Sequence, residues 1–511
     1  MTGARAGARA MPRDAGVLQA TDRHVAGLVS VLFALPNLVL ATGFRLVPGA
    51  LLALATVASL AIIWRGPFEG SRPVRPAALA SCLGLAFLLL VLGGALHVVY
   101  ANPDWLIRDA VLADLARHGF PLGYAIDGDV FSLRAPLGMY LVPALAGRAG
   151  GLLAAHGAML AQNTLVLGST LYLLLGLCRS PLHLAMLVGF GGLGLLWRLV
   201  QAVSLGEPGR LVAFDRPLDE WNALFQYSSS VTQIFWVPNH ALPGWWLGTL
   251  SILYARRRID VATFGVTVGL LVLWSPLAIL GAVPVLGCFV TTRFRPTVAD
   301  PRAWLGGMAA AGFLPVALYV SVAAGTIDHG SSLEKPGFLA WYGVFLVLQL
   351  AAGLFAILHR DRIEPDLRGL FAVSLALLVL LPWFSFGPNN DLVMRASIPA
   401  LLVVSFVFGS VTVDLLRERA PGAALGVAIA VLGLAPASVE IARALIAPRF
   451  AISDCDLVEA SRSLGDFGAP SNYMARLDRL PAWLVPAPAT ILPPPRAVAC
   501  WPDLRRPDLS R

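Results

Sequence analysis

Long apolar runs separated by short polar breaks make up most of the chain, and their lengths predict helices. About thirteen runs approach the roughly 20 apolar residues that a membrane-crossing helix needs. They are 24–44, 46–64, 77–99, 152–178, 181–203, 236–255, 261–275, 276–290, 303–324, 338–358, 369–384, 397–416 and 421–445. The stretch 261–290 reads as one long or two short spans broken at Pro276. A further short run, 137–149, is rich in Gly and Pro and reads as re-entrant. The first two runs are joined by almost nothing and predict a tight helical hairpin, with Pro36 kinking its first arm.

The one long interruption in the early part of the chain runs from Tyr100 to Pro143. From Asp104 a helical periodicity begins, with Leu106, Val111, Leu112 and Leu115 on one side and Arg108, Asp109, Asp114 and Arg117 on the other. Gly119 and Pro121 stop it, and Ala135-Pro136-Leu137 leads back into apolar sequence. The pattern predicts an interfacial amphipathic helix with Asp109 and Asp114 on its solvated face and Asp127-Gly128-Asp129 in a turn. Asp104 then sits at the water edge of a bilayer, where it is placed either to do chemistry or to cap the helix N-terminus.

Composition agrees with the pattern. Hydrophobic residues are 57% and charged residues 13% of the 511 residues, and mean hydropathy is +0.73; soluble domains carry about 25% charged residues. The fold class predicted is an all-α polytopic membrane protein with about 11–13 transmembrane helices. The formal net charge of +8 changes its meaning once it is placed. The arginine groups at 5–23, 65–75, 256–258, 293–295, 360–368 and 417–419 all fall on one side of these spans, which the positive-inside rule makes cytoplasmic. The charge is therefore an orientation signal and not a nucleic-acid footprint. Residues 1–23 read as a cytoplasmic leader to a retained signal anchor, residues 24–445 as the membrane domain, and residues 446–511 as an extracytoplasmic tail. The loops 101–136, 204–235, 325–337 and 385–396 share the tail's side. Cys82, Cys178 and Cys288 lie in or beside apolar runs, where packing is the default, whereas Cys455 and Cys500 fall in the tail, whose compartment permits a disulfide.

Candidate chemistry gathers on that outer side. His240 lies near the outer end of a span, where an ionisable group carries a functional hypothesis. Asp391 and Arg395 are four apart and share a helix face; an Arg at the end of a span suits a phosphate, because its planar fork of donors matches the oxygens. The loop at 204–235 interleaves Phe214, Trp221, Phe225, Tyr227 and Phe235 with Asp215, Asp219 and Glu220, and reads as an aromatic belt or a substrate-facing loop. A transporter of lipid-linked glycans would place ionisable residues near the bilayer midplane. Here His97, His156, Arg198, Asp414, Glu440 and Arg443 all fall near span ends. An O-antigen polymerase or ligase would carry more basic outer loops, and a non-catalytic envelope assembly subunit is the third alternative.

With Asp104 after a transmembrane run, the helix to Leu115, Gly119, Pro121, Pro136-Leu137, Tyr140 and the mid-chain Trp274-Ser275-Pro276, the chain resembles the GT-C superfamily of integral-membrane glycosyltransferases. These include protein O-mannosyltransferases and bacterial enzymes that add sugars to lipid A or other envelope glycans. The resemblance implies transfer of a sugar from a polyprenyl-phosphate donor to a glycan, lipid or protein acceptor, outside a bacterial inner membrane. It implies Asp104 as the general base, and Arg108, Asp109, His240, Asp391 and Arg395 as candidate substrate-binding residues. A divalent metal, Mg or Mn, stays open, because Trp105 stands where many such enzymes carry a second acidic residue.

Overall fold

The computed structural model describes residues 20–206, 217–221, 225–387, 390–465, 470, 472–496 and 498–501. Among them, seven helices are long and apolar enough to cross a membrane: Asp22–Gly43, Leu46–Arg65, Leu141–Leu177, Pro301–Thr326, Pro365–Trp383, Ile398–Glu418 and Ala423–Ile446. Phe338–Gln349 and Ala351–Leu358, bent by 61° at their break, make an eighth if counted together. Outward-facing Leu54, Val57, Leu88, Leu425 and Val431 are exposed, the apolar exterior that lipid contact calls for. The first two helices form the hairpin that their spacing predicts, joined only by Phe44 and Arg45.

Uninterrupted crossings are fewer than the apolar runs. The run 181–203 divides into Pro181–Val188 and Gly194–Leu205, and 261–290 divides into Val261–Leu270 and Pro276–Thr292. The second break is built in the sequence: Ser275 Oγ accepts the Ala278 N–H at 3.0 Å and Pro276 occupies the first turn, a capped helix start. Hydrophobicity reports burial and not continuity, and broken helices are tolerated at membrane depth where other protein encloses them. The run 137–149 forms a short helical segment at the start of Leu141–Leu177, set apart from the rest by a break at Gly151, where φ is 79°.

Ile398–Glu418 is the most enclosed of the seven candidate spans. Pro238–Ala255 packs against it closely, because a Cβ at Gly244 or Gly248 would fall 2.5 Å from Ile398 or Leu402. Small residues four apart thus let the two backbones approach.

Segments of the polar loops pair with one another and with the tail. The hairpin Leu122–Ile126 and Asp129–Leu133, turning through positive φ at Asp127 and Gly128, pairs with tail strands Met474–Arg476 and Thr490–Leu492 in one four-stranded sheet. This small sheet is an addition to the all-α expectation. His329–Ser331 pairs with Phe384–Phe386, and Asn102 Nδ2 donates to the Phe235 carbonyl at 3.0 Å. Cys455 and Cys500 form a disulfide within the tail. The arginine-rich loops meet elsewhere: Arg256 pairs with Glu364 at 2.9 Å, and Arg258 donates to the Glu69 and Gly70 carbonyls at 2.7 and 2.8 Å.

Candidate functional site

The helix Asp104–His118 starts after Pro103, so Asp104 occupies its first turn and not the cap position. A carboxylate there faces the positive end of the helix dipole. Its side chain is 48% exposed and pairs with Arg108 at 3.4 Å, one turn on. Arg108 is only 4% exposed. It donates to the Trp236 carbonyl and its guanidinium lies 5.2 Å over the Trp105 ring, which is itself fixed by an indole N–H bond to the Gly93 carbonyl at 2.6 Å. Gly94 makes this possible: its φ is +97°, and a Cβ there would lie 2.6 Å from the Trp105 indole nitrogen.

The second part of the site comes from Asp391–Ala396, a short helix entered through Asn390 at positive φ. Asp391 and Arg395 share a face as their spacing predicts and pair at 2.7 Å. Burial pushes the Asp391 carboxyl up against the pull of Arg395, and the charge of Asp104 reaches it as well. His240 is buried, its Nδ1 hydrogen-bonded to Ser275 Oγ at 2.6 Å, within electrostatic reach of Arg395 and Arg108. The tail adds Tyr473, whose phenol is raised by desolvation and lies in the field of Arg108, Asp104, Arg395 and Asp391 together. Tyr140, also raised by burial, lies near Tyr473, Arg108 and Asp104.

Asp104, Arg108, His240, Asp391 and Arg395 therefore converge from separate segments. Both of the cluster's ion pairs are charge-balanced. Each arginine nevertheless keeps one buried N–H group, Nη1 of Arg108 and Nε of Arg395, with no partner among the described residues. An unmet buried donor on a charged group is costly, and two of them suit the oxygens of an anion. Among the described residues no three His, Cys, Asp or Glu side chains are grouped so as to hold a metal ion.

Asp109 does not join this cluster. It is fully buried, 3.1 Å from His97 Nε2 and 3.7 Å from His156 Nε2, and accepts the Ser453 N–H from the tail at 3.0 Å. Asp114 is buried too, accepting the Tyr124 hydroxyl at 2.7 Å and the Leu457 N–H at 3.0 Å. The solvated face predicted for this helix is thus covered by the tail, and the helix is a buried strut and not an interfacial one. The reason is long-range: the tail supplies the donors that water would otherwise supply.

The loop at 204–235 also differs from its prediction. Phe214 and Asp215 lie outside the described residues. Trp221, Phe225 and Tyr227 are buried core side chains, Trp221 stacked on Trp197 with ring centroids 4.4 Å apart and Phe225 on Phe345 at 4.7 Å. They are neither a membrane belt nor a substrate-facing surface. Asp219 is buried beneath them, its carboxylate accepting the Ser229 N–H at 2.8 Å, and burial pushes it up to about 7.

The Trp274-Ser275-Pro276 motif and the Pro136-Leu137 segment meet. Gly138 N–H donates to the Leu273 carbonyl at 3.0 Å, and a Cβ on Gly138 would lie 2.4 Å from the Trp274 ring. Ser275 thereby joins the loop carrying Tyr140 to His240. Sequence reasoning missed Tyr473, for which no local signal exists, and set Glu440 and Arg443 aside as residues near a span end, whereas they form a buried pair at 2.7 Å. Comparison with protein-family models, curated proteins and solved structures finds no match to the chain.

Proposed function

We propose that this protein is a GT-C-type membrane glycosyltransferase that moves a sugar from a polyprenyl-phosphate donor to a hydroxyl on an envelope glycan, lipid or protein at its extracytoplasmic face. The observation that carries the reading is the convergence of Asp104 with two arginines that each retain an unpartnered buried N–H. Asp104 is the accessible carboxylate of the cluster, and a general base must come within hydrogen-bond reach of the hydroxyl that it deprotonates. In the proposed step the acceptor oxygen forms its bond to the anomeric carbon as Asp104 takes the hydroxyl proton. The bond from that carbon to the phosphate oxygen breaks, and its electron pair leaves with the lipid phosphate. Arg108 and Arg395 hold the charge that develops on that phosphate, while His240 lies beside both. A single displacement inverts the anomeric carbon.

The test is sugar transfer from a panel of polyprenyl-phosphate sugars in nanodiscs, with wild type, Asp104→Asn and Arg395→Ala compared. Transfer by the wild type, abolished by Asp104→Asn with donor binding kept, supports the reading. Donor binding without transfer in any preparation sinks it in favour of a lipid-linked glycan flippase or an assembly subunit.

A further inference from the structure

The Ser275 hydroxyl does more than cap a helix. Its oxygen accepts the Ala278 N–H at 3.0 Å and lies 2.6 Å from His240 Nδ1. A hydroxyl has one hydrogen to donate and two lone pairs. Ser275 is fully buried, and among the described residues His240 Nδ1 is the one acceptor within reach of its hydrogen. The hydroxyl therefore donates to Nδ1. A proton on Nδ1, in the other neutral form of the ring or in the imidazolium, would leave the hydroxyl hydrogen buried with no acceptor, which is costly. The ring is thus held with its proton on Nε2.

Ser275 is itself well fixed. Its N–H donates to the Leu271 carbonyl at 3.0 Å, and beside it the Trp274 indole N–H donates to the Phe33 carbonyl at 3.2 Å.

The other ring nitrogen faces a different situation. Nε2 has no partner among the described residues, and unlike Nη1 of Arg108 it is not sealed from solvent. Both arginine-bearing elements are close. Trp236, whose carbonyl accepts from Arg108, comes one helical turn before His240. The helix that Ser275 caps packs against Asp391–Ala396 so tightly that a Cβ on Gly281 would fall 1.9 Å from the Ala396 carbonyl oxygen. The ring lies in the field of Arg395 and Arg108 together. Unpartnered donors on three side chains suit the oxygens of a phosphate, and a neutral ring adds its donor without a third positive charge.

We propose that the Ser275 hydroxyl is a positioning group that keeps His240 in its neutral Nε2–H form, and that His240 donates this hydrogen bond to the phosphate of the polyprenyl donor. No proton is transferred. The assignment rests on the glycosyltransferase reading and adds a third, uncharged donor to the departing phosphate.

The test is nitrogen NMR of the full chain in nanodiscs, isotope-labelled in histidine, with His240→Phe identifying the ring's resonances. Farnesyl phosphate is the probe, and farnesol, the same chain without the phosphate, is the control. The expected result at neutral pH is a protonated Nε2 and a bare Nδ1, with the Nε2 resonance moving saturably on addition of farnesyl phosphate and not of farnesol. A protonated Nδ1, or an Nε2 resonance indifferent to farnesyl phosphate, overturns the assignment, and neither readout depends on a variant of Ser275 folding. His240→Phe should bind the probe about tenfold more weakly, as loss of one good hydrogen bond implies. Ser275→Ala should let the Nδ1–H form appear and weaken binding in proportion to the Nε2–H fraction lost, about twofold or more; Ser275→Thr, which keeps the hydroxyl, should restore both. An unchanged ring in folded Ser275→Ala would reduce Ser275 to a helix cap. The two readings separate cleanly. Asp104-dependent transfer with an Nε2 that ignores farnesyl phosphate leaves the transferase and removes His240 from its phosphate. A Ser275-dependent ring that responds to farnesyl phosphate, without transfer from any donor, does the reverse.

Discussion

On one helix, Asp104–His118, three aspartates stand in opposite circumstances. Asp104, at the first turn, is half exposed and holds one arginine loosely at 3.4 Å. Asp109 and Asp114, further along, are buried, and each accepts a backbone N–H of the tail at 3.0 Å. Fixed donors hold the second pair and make them fasteners, although Oδ1 of Asp114 has no partner among the described residues. The first keeps an oxygen accessible to a substrate, which is what proton transfer requires. Residue type and helix are shared, so the difference lies in what packs over each carboxylate.

The largest effect expected from this contrast is on activity. Asp104→Asn should lower sugar transfer about 10²- to 10⁴-fold, the usual contribution of a general base, while its thermal unfolding stays close to that of wild type. Loss of folding instead would make Asp104 a fastener like the others. Asp109→Ala should do the opposite. It strips the partner from His97, His156 and the Ser453 N–H, and each buried polar group left unmet costs about 1–3 kcal/mol. Hydrogen exchange across the tail would register it, and an unchanged pattern would place Asp109 outside the tail's anchorage.

Cys455→Ser should be milder and confined to the tail. A native disulfide contributes about 2–4 kcal/mol by limiting the unfolded chain. The expected readout is faster proteolytic cleavage after residue 446, with the apolar helices still protected. Equal cleavage of variant and wild type would show that Asp109 and Asp114 hold the tail without it.

A pH-dependent effect is expected at Asp114. Burial raises its carboxyl from 3.8 to about 7, outweighing the bonds from Tyr124 and Leu457 that lower it. Between those values the folded chain keeps a proton that the unfolded chain has lost. The contribution to stability is therefore greatest at the acid end, declines as pH rises from 3.8 to about 7, and is level above that. Asp114→Asn should flatten this part of the melting-temperature profile relative to wild type. A wild-type slope retained in the variant would assign it to another group, such as Asp219. The smallest effect belongs to Arg476, whose exposed pair with Asp129 at 2.6 Å lies where solvent screens the charges; Arg476→Ala should leave melting temperature and transfer unchanged, and a clear fall in either would show that the tail sheet is under more tension than its contacts indicate.

Much of the candidate site is legible in the chain's local pattern. Asp104, Arg108, His240, Asp391 and Arg395 stand out as ionisable residues beside apolar runs on the side away from the arginine-rich loops. Asp391 and Arg395 can be paired from their spacing alone. Asp109 cannot be separated from Asp104 in this way, since periodicity says which face a residue occupies and not what covers that face. The aromatics at Trp221 and Phe225 mislead for the same reason, as amphipathic rings suit a membrane interface and a protein core equally.

By itself the sequence determined the quantities that depend on neighbours along the chain. These are the apolar helices, the hairpin joined at Phe44 and Arg45, the break before Pro276, the turn at Asp127-Gly128, and the separation of arginine-rich loops from acidic ones. Each follows from transfer free energy, backbone preference or capping within a few residues. Only the tertiary structure decided that the tail around Ser453 and Leu457 would close over the helix Asp104–His118, burying Asp109 and Asp114, and that Tyr473 would come to Arg108 and Arg395. It also decided that Glu440 would meet Trp236 across some two hundred positions. These contacts join groups hundreds of residues apart, and their energy depends on desolvation and on partners that no local pattern records.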